Sequence, residues 1–193
     1  QMDFKGHFSL TGGGYCHPLT VLDDHSRFLL GLKACSNETQ NIVKHHLTSL
    51  FREYGLPDRM LMDNGAPWGH DGRIPSTKLS TWLIRLDIGI SHSRPYHPQT
   101  VGKDERLHRS LKDELLSRCT LEDLSHCQVA FDQWRQIYNY ERPHEALDLN
   151  PPAIYYVASP RPFPEQLPPV VYDVGEIVRK VGTSGRISFH KSR

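Results

Sequence analysis

The sequence predicts an α/β protein: a mixed five-stranded sheet flanked by helices, then a Pro-rich linker and the start of a small β module. Three observations predict it. Residues 2–34 alternate apolar and polar side chains between Gly-rich and Asp-rich turns, the pattern of a strand meander. Residues 37–140 change to helical spacing, interrupted by two short apolar runs that read as further strands. Past residue 156, five prolines (Pro160, Pro162, Pro164, Pro168 and Pro169) end that pattern.

The elements follow in order. Met2, Phe4, Phe8 and Leu10 fall on one side of a first strand, with Asp3, Lys5 and His7 on the other. A turn at 11–14 leads to a strand over 15–22, and Asp23 and Asp24 shape the turn before a third strand over 28–34. Asn37, with Gln40 three residues on, predicts the cap of a helix carrying Ile42, Val43, Leu47, Leu50, Phe51 and Tyr54, which Gly55 and Pro57 stop. A short apolar strand over 59–63 ends in Asp63. A helix over 76–86, a strand over 88–93 and a Pro95–Pro98 break follow, then helices over 100–118 and 122–140. In the second of these, Leu124, Phe131, Trp134 and Tyr138 recur as core residues. The expected organisation is a main domain over 1–156, an extended semi-rigid connector over 157–169 and a β-rich module beginning at 170 that does not close by 193.

At 193 residues the chain has enough length for one good core, and its net charge of +1 announces no particular partner. Residues 173–193 hold five Lys/Arg against two acids, a pattern that is usually a solvated surface and only weakly suggests phosphate contact. No apolar run approaches the roughly 18 residues of a membrane span, and the start is no signal peptide, so the cytoplasm is the expected compartment. A strand beginning directly at Gln1 predicts a fragment whose upstream domains are missing. The four cysteines lack Cys-x-x-Cys spacing and read as buried reduced thiols. The twelve histidines show no zinc spacing and read as core or solvated side chains.

The carboxylates carry more. Asp63 closes an apolar strand, and ligand sites in α/β sheets gather beyond strand ends. The competing structural reading is an Asx-turn opened by Asp63-Asn64-Gly65. Asp3 lies on a polar strand face, where most acids are simply solvated. On the helix after Pro98, Glu105, Arg109 and Lys112 fall within about 60° of one another, a face with one metal-ligand candidate and two phosphate-binding cations. The plain alternative is a solvated Glu105–Arg109 pair. Asp104 falls instead on the arc of Leu107, Leu111 and Leu115, and helical geometry alone does not choose between the two acids.

Six segments in order sharpen the picture: Gln1-Met-Asp-Phe-Lys-Gly, Leu22-Asp-Asp-His-Ser-Arg, Asp63-Asn-Gly, Arg94-Pro-Tyr-His-Pro-Gln-Thr, Gly102-Lys-Asp-Glu-Arg-Leu-His-Arg and Tyr138-Asn-Tyr-Glu-Arg-Pro-His. Together they resemble the catalytic core of insertion-sequence transposases in the DDE, retroviral-integrase-like superfamily. The resemblance spans about residues 1–156. It implies a ribonuclease-H-like fold in which Asp3, Asp63 and Glu105 hold two Mg²⁺ or Mn²⁺ ions, with the motif selecting Glu105 over Asp104. The 41 residues between Asp63 and Glu105 exceed the retroviral spacing, and the polar segment 69–76 is the expected place of the excess.

The implied activity is metal-dependent DNA cleavage at transposon ends followed by strand transfer into target DNA, by a homo-oligomer assembled on DNA. Lys103, Arg109 and Lys112 would position phosphates, with Tyr96 and His97 near the scissile bond. The Arg142-Pro143-His144 stretch is expected to end and dock its helix. A ribonuclease-H-like nuclease without strand transfer, and an inactive DNA-binding or assembly module, are the competing readings.

Overall fold

The computed structural model describes residues 1–63, 65–68, 77–92, 102–167, 169–179, 181 and 187. Its strands are β1 (Met2–Phe4), β2 (Phe8–Ser9), β3 (Tyr15–Leu22), β4 (Leu29–Cys35), β5 (Arg59–Met62) and β6 (Gly89–His92). Its helices are α1 (Gln40–Tyr54), α2 (Lys78–Arg85), α3 (Gly102–Leu111) and α4 (Leu124–Tyr140). Where one five-stranded sheet was expected, the described residues form six strands in two hydrogen-bonded groups. β1, β2 and β4 all pair antiparallel with β3, while β5 and β6 pair parallel, with β1 lying against β5.

The expected first strand is broken in two, and the break changes which face its residues reach. Phe4 opposes Leu19, but Phe8 opposes Cys16, so four steps on one strand match three on the other. That extra residue is a bulge, and Gly6 lies within it at φ 87°, a backbone conformation that a side chain would strain. A bulge shifts the two-residue period by one. Met2 and Phe4 therefore pack on one face of the sheet, while Phe8 and Leu10 pack on the other, rather than all four sharing a side.

Two cores result, one per face. On the first, Met2, Leu19 and Val21 meet Val43, Leu47, Leu50 and Phe51 of α1, Met60 and Met62 of β5, and Trp82 and Leu83 of α2. On the second, Cys16, Leu22, Leu29 and Leu32 meet Leu107 and Leu111 of α3 and Cys127, Phe131, Trp134 and Tyr138 of α4. The cysteines are free, with Cys16, Cys35 and Cys127 buried and Cys119 exposed.

Local chemistry sets the helix limits. Thr77 and Ser80 form a reciprocal capping box at α2, and Asp123 accepts from the His126 amide at 2.8 Å to start α4. The cap of α1 is Thr39 rather than Asn37; the Asn37 Oδ1 instead accepts from the Thr39 amide at 3.1 Å, closing an Asx-type turn one step earlier. Gly55 ends α1 at φ 81°. The helix expected over 100–118 is α-helical to Leu111 and continues through Lys112–Leu116 with the wider π spacing.

Two amides of α4 clamp the edge strand β4. Asn139 accepts from the Leu29 amide at 2.8 Å and donates to its carbonyl at 3.0 Å, and Gln128 does the same for Ala34 N–H and Leu32 C=O at 2.9 and 3.1 Å. These bonds satisfy backbone groups that an edge strand otherwise leaves open. The Pro-rich stretch also docks on the main body. Phe163 packs by Phe51, Arg161 donates to the carbonyls of Pro57, Leu86 and Asp87, and Tyr156, just before the stretch, stacks on Phe28 at 4.3 Å. The described residues from 169 onward carry no strand. None of the described helices is long and apolar enough to cross a membrane.

Candidate active site

Asp3 sits in the middle of β1, directly across from Thr20 of β3, on the sheet face that carries α3. The Thr20 hydroxyl donates to the Asp3 carbonyl at 3.0 Å and lies 2.9 Å from the His108 Nε2. Burial, then Lys5, lower the His108 pKa to about 4, so the ring is neutral at physiological pH. With the hydroxyl proton committed to Asp3, the consistent tautomer has His108 donating from Nε2. Sequence reading passed over this pair; the one available signal was His108 lying three residues after Glu105 on the same helix.

Asp63 follows β5 and is half-buried. Its carboxylate accepts from the Gly65 amide at 2.8 Å, and its carbonyl lies 2.8 Å from the His92 Nδ1 at the end of β6. The Asx-turn expected as the alternative reading is thus present, and it orients the carboxylate. Phe4, next to Asp3, and Trp68, five residues after Asp63, stack at 5.5 Å and hold the two segments together. Burial first, then the charges of Asp104 and Asp63, push the Asp3 carboxyl up from 3.8 to about 7. The fold therefore brings Asp3 and Asp63 within electrostatic reach.

The two acids of α3 separate as their helical positions require. Asp104 is 2% exposed, and burial raises its carboxyl to about 6. Its Oδ1 has no hydrogen-bond partner among the described residues. Glu105 is exposed, as are Arg109 and Lys112 along the same flank. Among the described residues no three His, Cys, Asp or Glu side chains gather into a metal-sized cluster, so Glu105 does not join the aspartates here. Lys103 reaches back to the β3–β4 turn, with its Nζ 2.5 Å from the Asp24 Oδ1. Lys5, on the strand face of Asp3, is close enough to Lys112 that the second cation, after burial, lowers its pKa. Tyr96 and His97, the Arg94–Thr100 motif and the 69–76 segment lie outside the described residues.

The Arg142-Pro143-His144 stretch performs the docking its position suggests. Arg142 ends α4 with its amide on the Ile137 carbonyl, and its guanidinium pairs with Glu114 at 2.6 Å; Glu114 also accepts from the Trp134 indole at 3.0 Å.

A bulged antiparallel sheet beside a parallel pair, with helices on both faces, one aspartate on β1 and another just past the end of β5, defines a ribonuclease-H-like catalytic core of the DDE, integrase-like kind. The chain belongs to the integrase core domain family, whose models match residues 1–98 and 86–152. It is similar to the Pro-Pol polyprotein of feline foamy virus (28% identity over 151 residues, 72% of this chain and 12% of that protein). It is also similar to an uncharacterized 31.7 kDa protein of insertion element IS407 from Burkholderia multivorans (24% over 145 residues, 75% of this chain and 50% of that protein). The chain thus spans half of the second relative and a small part of the first.

Solved structures agree in fold. An intasome chain of simian T-cell lymphotropic virus, in a complex with a PP2A regulatory subunit, aligns with a TM-score of 0.63 at 18% identity, over 90% of this chain and 59% of that one. The catalytic core of BIV integrase gives 0.59 at 21%, over 81% and 91%. The HTLV-2 integrase core, solved with magnesium, gives 0.59 at 15%, over 80% and 92%.

Proposed function

We propose that the chain is the catalytic core of a transposase that cuts DNA at the ends of a mobile element and joins the freed 3′-OH to target DNA, with Asp3, Asp63 and Glu105 as its metal-binding acids. The observation that carries the reading is the approach of Asp3 on β1 and Asp63 just past the end of neighbouring β5, with the Asp3 carboxyl raised to about 7 by burial and neighbouring acids. A carboxylate in that setting is relieved by a cation, and carboxylate oxygens are the donors Mg²⁺ and Mn²⁺ prefer. Two such ions would supply positive charge to the attacking and leaving oxygens of a phosphodiester exchange.

The chain's own residues do the rest. The Gly65 amide fixes the Asp63 carboxylate, and the Thr20–His108 pair holds the β1 backbone at Asp3. Arg109 and Lys112, exposed beside Glu105, bind DNA phosphates, with Tyr96, His97 and Lys103 as further contacts. The active form is a homo-oligomer on paired element ends, cytoplasmic and at the nucleoid when acting. Residues 157–169 lead into a small β-rich module that begins at 170.

A second reading concerns the third acid. Asp104, not Glu105, is the α3 carboxylate whose charge acts on Asp3, and its Oδ1 is buried without a partner among the described residues. Strand transfer from pre-cut ends, measured with Mg²⁺ or Mn²⁺ for Asp63→Asn, Glu105→Gln and Asp104→Asn, separates the readings. Asp63→Asn and Glu105→Gln are expected to lose about a hundredfold or more, with Asp104→Asn retaining activity. Full activity in Glu105→Gln and loss in Asp104→Asn would transfer the role. Hydrolysis products without joined products in the wild type identify a nuclease, and absence of carboxylate-dependent metal binding with DNA present identifies an inactive module.

A further inference from the structure

Away from the aspartates, a cleft of about 380 Å³ opens where the start of α3, the end of α4 and the β3–β4 turn meet. Arg27, Lys103, Arg106, Arg142 and His144 line it, and Glu145 is the carboxylate among the lining residues. The cations differ in what holds them. Lys103 pairs with Asp24, and Arg142 is half-buried between Glu114 and the Tyr138 ring. Arg106 pairs with Glu145 at 2.8 Å, but the two side chains are 68% and 77% exposed. Among the described residues the Arg27 guanidinium donates to the Asp24 carbonyl, beside the exposed Asp24 carboxylate. Exposed pairs of the Arg106–Glu145 kind are weak and exchange readily. Arg27 and Arg106 are therefore the two guanidinium groups able to turn to a ligand without uncovering a buried acid.

The field in the cleft is positive. Burial lowers the His144 pKa, and Arg142, Arg106 and Arg27 lower it further, opposed by the Tyr138 carbonyl. Gly102, at the first turn of α3, lines the same cleft, so helix N–H groups add to the charge. At 100° per residue, Lys103, Arg106 and Ser110 share an arc of about 60° on the flank of α3 away from Glu105, Arg109 and Lys112. The helix is basic on two flanks, and a nucleic-acid backbone crossing its N-terminal end meets both.

We propose that this cleft is a second DNA contact, in which Arg27 and Arg106 grip a backbone phosphate apart from the catalytic face and the Arg106–Glu145 pair opens to admit it. Guanidinium groups suit this role because their donors match phosphate oxygens in pairs. The proposal rests on the reading of the chain as a DNA-acting enzyme.

The test is fluorescence anisotropy of a short labelled duplex against the whole chain in EDTA, over a series of KCl concentrations. Losing one phosphate contact lowers affinity about eightfold near 0.1 M salt and reduces the slope of log K against log salt by about one. Arg106→Gln and Arg27→Gln are each expected to show that loss, with thermal melting confirming the fold. Glu145→Gln, which removes the competing carboxylate, is expected to tighten binding. Wild-type affinity and slope in Arg106→Gln, or unchanged affinity in Glu145→Gln, would overturn the proposal while leaving the DNA-acting reading intact. No duplex binding by the wild type would overturn both.

Discussion

Asp3→Asn should make the protein more stable at neutral pH while removing a residue the proposed chemistry needs. The unfolded chain titrates Asp3 near 3.8 and the folded chain near 7. Between those values the folded state holds the extra proton, so stability falls as pH rises through the window, and the penalty is complete above about 7. Each tenfold change in proton affinity corresponds to about 1.4 kcal/mol, which sets a ceiling of about 4 kcal/mol. Asp3 is only half-buried, and solvent screening reduces this to about 2 kcal/mol. Asparagine keeps the shape and carries no charge, so the gain should appear at pH 8 and vanish near pH 4. For a chain of this size, about 2 kcal/mol moves the melting midpoint by about 4–8 °C. The assay is thermal or urea unfolding at both pH values in EDTA. Equal midpoints at pH 8, or the same gain at pH 4, would refute the account of a carboxylate strained by burial and by Asp104 and Asp63.

Two further predictions concern how the Pro-rich stretch is fastened. Arg161→Ala should destabilise the fold by about 2–3 kcal/mol in urea unfolding, since it strips charged donors from the carbonyls of Pro57, Leu86 and Asp87. The accompanying contacts to Asp58 and Asp87 contribute little, because those carboxylates are fully exposed; a loss below about 0.5 kcal/mol would contradict the docking. Gly55→Ala should cost about 2 kcal/mol or more by the same measurement, because φ is 81° and the new Cβ would lie 2.5 Å from the Ser159 carbonyl oxygen. A neutral result would mean that the strap is not seated against α1.

Much of the fold was legible because its signals are local. The strand over 15–22 matches β3 residue for residue, and the helix expected over 122–140 differs from α4 by two residues at its start. Gly55 stops α1 as expected, since a left-handed residue is a local demand. The apolar spacing also placed Asp104 on the core side of its helix, whereas the strand face of Asp3, expected to be polar and solvated, is covered by α3. The bulge at Gly6 was not legible, because register is a property of two strands and no single run of residues states it.

The site divides along the same line. Residue chemistry and spacing alone nominated Asp63 as a strand-end acid and Glu105 with its basic flank, and the ordered motifs added Asp3. Only tertiary structure decided that the strand of Asp3 lies against the one that ends before Asp63, that Thr20 and His108 support the first of these acids, and that Arg27, Arg106 and Arg142 surround His144. Burial and charge depend on what residues far apart in sequence bring to one place. The raised Asp3 carboxyl is the clearest case: its causes come from β1, β5 and α3 at once, and no one of those segments carries them alone.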